Sequence, residues 1–130
     1  MSTSPPPIFS LVLRSWAAAV LALVLAGPAL AHHGWTWAED VNAEIAGTIV
    51  SARLGNPHGE LTLAVGAERW IVEVGQPWRN ERAGLTDALL AQGVQLSVTG
   101  HKHRDPKRKV FKAERLIIDG KTYDLYPDRN

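Results

Sequence analysis

The chain has 130 residues, 45% of them hydrophobic and 21% charged, with no Cys and a formal charge of +1. That balance suits one ordinary globular domain and excludes a collagen-like, disordered or disulfide-stapled chain. Near-neutral charge makes nucleic acid an unlikely partner for the chain as a whole. The glycine, HExxH and GxSxG patterns of nucleotide binding, zinc proteolysis and serine hydrolysis do not occur.

Residues 1–31 read as a secretory signal peptide. Arg14 is the only basic side chain before an apolar run from Trp16 to Ala26. Gly27 and Pro28 break the helix of that run, and Ala29-Leu30-Ala31 places small residues where a signal peptidase cuts. Spanning hydrocarbon takes roughly 20 apolar residues. The run is shorter, so no transmembrane span is expected after cleavage, and an uncleaved anchor is the alternative. The expected location is periplasmic or secreted. Cleavage also removes Met1, the only methionine, and leaves a chain without sulfur. Soft thiolate or thioether metal sites are thereby excluded.

Residues 32–43 show no sustained period and are expected as an extended N-terminal arm, on which Trp35 and Trp37 share a face. From Glu44 the period becomes two: Ile45, Gly47 and Ile49 fall on one side of a first strand. Gly55-Asn56-Pro57-His58-Gly59 is dense turn chemistry. Leu61, Leu63 and Val65 alternate in a second strand, Gly66-Ala67 turns, and Trp70, Val72 and Val74 alternate in a third. Gln76-Pro77 ends it. Residues 78–92 read as one or two short helical pieces, with Thr86 as N-cap and Gly93 as the stop. Val94, Leu96 and Val98 mark a fourth strand. Residues 110–118 form a fifth, and the Asp119-Gly120 turn leads to a return strand over Lys121–Leu125.

The result is a mainly β domain over 44–130: an OB-like, partly closed barrel of five to six strands. One short helical segment lies between strands three and four. A small β-sandwich or open sheet with one helix is the competing architecture.

Together these motifs resemble an uncharacterised family of small exported bacterial proteins. The matching pieces are Ala31-His32-His33, Gly47-Thr48-Ile49-Val50, Asn56-Pro57-His58 and Trp70-Ile71-Val72-Glu73. Arg82-Ala83-Gly84-Leu85 and Gly93-Val94-Gln95-Leu96-Ser97-Val98 complete the set. The resemblance implies an exported OB-like domain of unknown function and carries no catalytic residues. Val94 departs from the acidic residue that related chains tend to place after the glycine of the fourth strand.

Histidine is where binding chemistry concentrates. After cleavage, His32 would carry a free α-amine beside its own imidazole, and His33 adds a second ring. Such nitrogen donors suit Cu(II), Zn(II) or Ni(II). His58 sits in a turn whose Asn, Pro and Gly are explained by the turn itself, whereas the His is not. His101 and His103 flank Lys102, and a period of two puts both rings on one side of the strand. In an OB barrel the loops after strands one and four border one face. His58, His101 and His103 are therefore expected to converge on a second metal site.

The bland account of each is a processing signal, a turn and a solvated basic loop. That loop, residues 101–112, carries Lys102, Arg104, Lys107, Arg108, Lys109 and Lys112 against Asp105. It supports the alternative of an envelope protein that meets a polyanion or a partner protein. Metal binding should fall in acid as imidazoles protonate, whereas polyanion binding should weaken with salt. Glu73 with Glu81, or Ser51 and Ser97 beside a His, have no spacing that favours catalysis. The expectation is a binding module, not an enzyme.

Overall fold

The computed structural model describes residues 34–129. The leader and the amine-imidazole pair His32 and His33 lie outside these residues. A division falls between Thr36 and Trp37, and the domain below begins at Trp37.

Six strands run in chain order: β1 (Ala43–Arg53), β2 (Glu60–Val65), β3 (Glu68–Glu73), β4 (Gln95–Lys102), β5 (Val110–Ile118) and β6 (Lys121–Asp124). Between β3 and β4 lie helix α1 (Pro77–Arg82) and a 3-10 turn (Asp87–Leu90). The alternating residues do what their spacing requires. Ile45, Ile49, Leu61, Leu63, Trp70, Val72, Leu96, Val98 and Phe111 are buried in one core, while neighbours such as Glu44, Thr62, Ile71 and Ser97 are half-buried or exposed. Leu85 and Leu90, from the segment holding the 3-10 turn, join the same core.

The sheet order is β3-β2-β1-β4-β5-β6, and a parallel β3–β5 pairing closes the first five strands into a mixed barrel. One edge of β5 serves two partners: Val110–Lys112 pairs with β3, and Arg115–Ile118 pairs with β6. This is the OB-like barrel expected from the alternation, with an added sixth strand. The Asp119-Gly120 turn has both residues at positive φ, 50° and 76°, as a tight two-residue hairpin demands.

Two local features shape the outer wall of the barrel. First, the β4–β5 register shifts between Thr99 and Gly100. Ala113 and Leu116 both enter the core, so an extra residue, Glu114, bulges out between them. Gly100 is required there, because a Cβ would overlap the Lys112 carbonyl. Second, β4 runs through Gly100 to Lys102, with His101 near its end as expected. Ala38 of the arm bridges His103, and Glu39 N–H donates to the Lys102 carbonyl at 2.8 Å. Part of the arm thus prolongs the sheet.

Candidate functional site

A row of cross-strand partners crosses the outer wall of the barrel at one level. Arg53 on β1 pairs with Glu60 on β2, Glu60 with Glu73 on β3, Glu73 with Lys112 on β5, and Lys112 with His101 on β4. Two glutamates directly opposite each other repel unless cations separate them. Here Arg53 Nη2 lies 2.7 Å from Glu60 Oε2, and Lys112 Nζ lies 3.0 Å from Glu73 Oε2. Each flanking cation therefore takes the outer oxygen of its glutamate.

The inner oxygens turn to His58. Its Nε2 is 3.2 Å from Glu73 Oε1 and 3.8 Å from Glu60 Oε1. The loop holds the ring there through Gly59, whose N–H donates to the Gly75 carbonyl at 3.0 Å and whose carbonyl accepts from Val74 N–H at 2.9 Å. A Cβ at residue 59 would sit 2.8 Å from Val74 Cγ2, so only glycine lets the loop lie this close to β3. The ring remains 28% exposed, within reach of solvent.

Among the described residues, the His58, Glu60 and Glu73 donor atoms form the one group lying within 4.8 Å of one another. Ligands on a tetrahedral zinc at about 2.0–2.1 Å sit about 3.4 Å apart, close to the two measured separations. One imidazole and two carboxylates suit a divalent ion of borderline or hard character. The cations on the outer oxygens orient the carboxylates, as outer partners of metal ligands do.

His101 and His103 stand outside this group. Lys112 lies between His101 and Glu73, and two strand spacings separate their backbones by about 10 Å. His101 Nε2 is instead 2.7 Å from Glu114 Oε1, with side chains only 6% and 2% exposed. Arg129 Nε donates to the same oxygen at 3.1 Å. His103 stacks on Trp37 with ring centroids 5.2 Å apart, and its Nδ1 accepts from Asp105 N–H at 2.9 Å. The three histidines expected to share a site thus engage three different sets of partners.

The basic loop is partly compensated within the domain. Arg104 pairs with Asp40 at 3.5 Å, Lys109 with Glu68 at 3.1 Å, and Lys112 is taken by Glu73. The Trp70 indole donates to Glu68 at 2.9 Å and, with Lys109, holds that carboxyl below the usual glutamate range.

Glu60 and Glu73 were not singled out as ligands by the alternation, but a signal for them exists. A two-residue turn at Gly66-Ala67 fixes the hairpin register, and counting outward from it sets Glu60 opposite Glu73. Glu114 had no comparable signal, because its position depends on the bulge.

Residues 20–112 match the model of a family described as a family of unknown function, DUF6152. No curated protein matches the chain at a significant level.

Proposed function

The chain belongs to the DUF6152 family of unknown function, and we propose from its own geometry that it is an exported binding module for a divalent transition-metal ion. His58, Glu60 and Glu73 are the ligands, and Zn(II) is the ion whose tetrahedral donor spacing they match, while Cu(II), the tighter binder of any nitrogen and oxygen set, competes for the same atoms. Arg53, Lys112, Glu60 and Glu73 already balance one another in charge. His58 adds a nitrogen donor facing both inner oxygens, and that convergence carries the reading.

The two flanking cations also oppose the ion's charge, so a reversible site is expected. Three protein ligands leave room for water or a ligand from solution, as in open zinc sites. Removal of the leader after Ala31 would create a second donor set at His32 and His33, nitrogen-only and better suited to Cu(II) or Ni(II).

Native mass spectrometry of the processed protein, titrated with Zn(II), Cu(II) and Ni(II), tests this. One Zn(II) per chain is expected, lost in His58→Ala and kept in His103→Ala. A zinc adduct indifferent to His58→Ala, or none at all, sinks the site. Binding of a polyanion that disappears with salt, without any metal adduct, would support the basic loop instead.

A further inference from the structure

We propose that a cavity lined in part by the start of the loop that carries His58 binds a small organic cation: an alkylammonium group on a short apolar stem. The cavity measures about 340 Å³ and lies between Leu54 and Gly55 of that loop and the helical segment. This is near the lower end of the range for small-molecule pockets.

Its floor is apolar. Leu85 and Leu90 are core residues, 5% and 1% exposed, that also line the cavity. Leu54 and Pro77 form further parts of the wall. The opening is anionic: Glu81 and Asp87 are the charged side chains lining it, and both are exposed. Neither makes an ion pair among the described residues, whereas Glu60, Glu68, Glu73 and Glu114 all do.

The remaining polar side chain of the wall with a buried position is already committed. Asn80 accepts from Gly75 N–H at 2.9 Å and donates to the Gly75 carbonyl at 3.1 Å. These two hydrogen bonds to Gly75, just past the end of β3, fix α1 and therefore the cavity's shape. An apolar floor takes a methylene stem, and two uncompensated carboxylates at the mouth select a cation and reject an anion. The same group occurs on a free amine and on a lysine side chain of a peptide.

An NMR titration of the 15N-labelled full chain with n-hexylammonium, hexanol, hexanoate and an acetylated, amidated Leu-Lys-Leu peptide tests the proposal. Hexylammonium should shift the amides of Gly55, Leu85, Asp87 and Leu90 saturably, and shortening the stem by one methylene should weaken binding about fourfold. Glu81→Gln with Asp87→Asn should weaken it at least fivefold, and Leu54→Trp should block it by filling the space. Saturation by the peptide but not by the free amine would assign the cation to a lysine side chain; the reverse would assign it to a free amine. Hexanol or hexanoate binding as well as hexylammonium would overturn the proposal. So would the absence of saturable shifts with both cations, or carboxylate variants that bind within twofold of the unsubstituted chain.

Discussion

His58 and His101 are each paired with glutamate on the outer wall of the same barrel, yet their surroundings differ. His101 meets one carboxylate, Glu114, at 2.7 Å, and both side chains are almost wholly buried. His58 faces two carboxylates at longer range and keeps more than a quarter of its surface in solvent. A short, buried and further braced pair serves the fold, since exchanging its partners would require opening the wall. A half-exposed ring facing two oriented oxygens can exchange what lies between them. On the proposed metal-binding reading, depth separates a structural histidine from a ligating one.

The largest effect that would break this comparison is at Glu114. Glu114 is a buried carboxylate bonded to the buried His101 ring and to Arg129, and breaking such a buried charged contact by removing one partner typically costs about 3–5 kcal/mol. Glu114→Ala should therefore lower unfolding stability by that order in a urea titration, chiefly because the buried His101 ring loses its carboxylate beside a void, whereas Arg115 keeps Asp124 and Arg129 faces solvent. A loss below about 1 kcal/mol would mean that the dyad is no more structural than a surface pair.

Gly59→Ala should act next. Its Cβ would press on Val74 and Leu54, at a cost of about 1–3 kcal/mol for an overpacked site. The loop would move His58 away from Glu73, and zinc affinity should fall with stability in calorimetric titrations. Glu60→Gln sharpens the comparison by separating the two effects. Glu60 is one-third exposed and its Arg53 partner two-thirds, so stability should change by less than about 1 kcal/mol. Zinc affinity should nevertheless drop about tenfold or more, through loss of a charged ligand. Equal zinc affinities in Glu60→Gln and the unsubstituted protein would remove Glu60 from the site.

Much of this is legible in the sequence. Alternation at Leu61-Leu63, Trp70-Val72 and Leu96-Val98 gave the strands, and the single helical segment after the third gave the barrel order. His58 stood out because its turn does not need a histidine. Its partners come from register, which depends on the Gly66-Ala67 turn counted over six pairs, and a one-residue slip would turn every side chain to the other face. Glu114 and the fate of His101 depend on the bulge opposite Thr99 and Gly100, where alternation breaks. Period two placed His101 and His103 on a common side, but burial divided them: Glu114 took one and Trp37 the other.

The smallest effect concerns Glu68, a fourth wall carboxylate and more exposed than Glu60, Glu73 or Glu114. The Trp70 indole N–H and then Lys109 stabilise its charged form and depress its pKa. A carboxyl whose folded value lies below its unfolded value contributes stability above the unfolded value. That contribution is lost as pH falls through the folded one. Trp70→Phe keeps an aromatic ring in contact with Phe111 but deletes the N–H donor. The Glu68 midpoint should then rise toward the ordinary glutamate range in a carboxyl 13C titration, and the acid-limb loss of stability from this residue should shrink. Because Glu68 is open to solvent, screening keeps the pH-dependent part of the stability change small. Loss of the buried indole lowers stability at every pH, so the midpoint is the sensitive readout. An unmoved midpoint would assign the depression to Lys109 and leave the indole as a core ring alone.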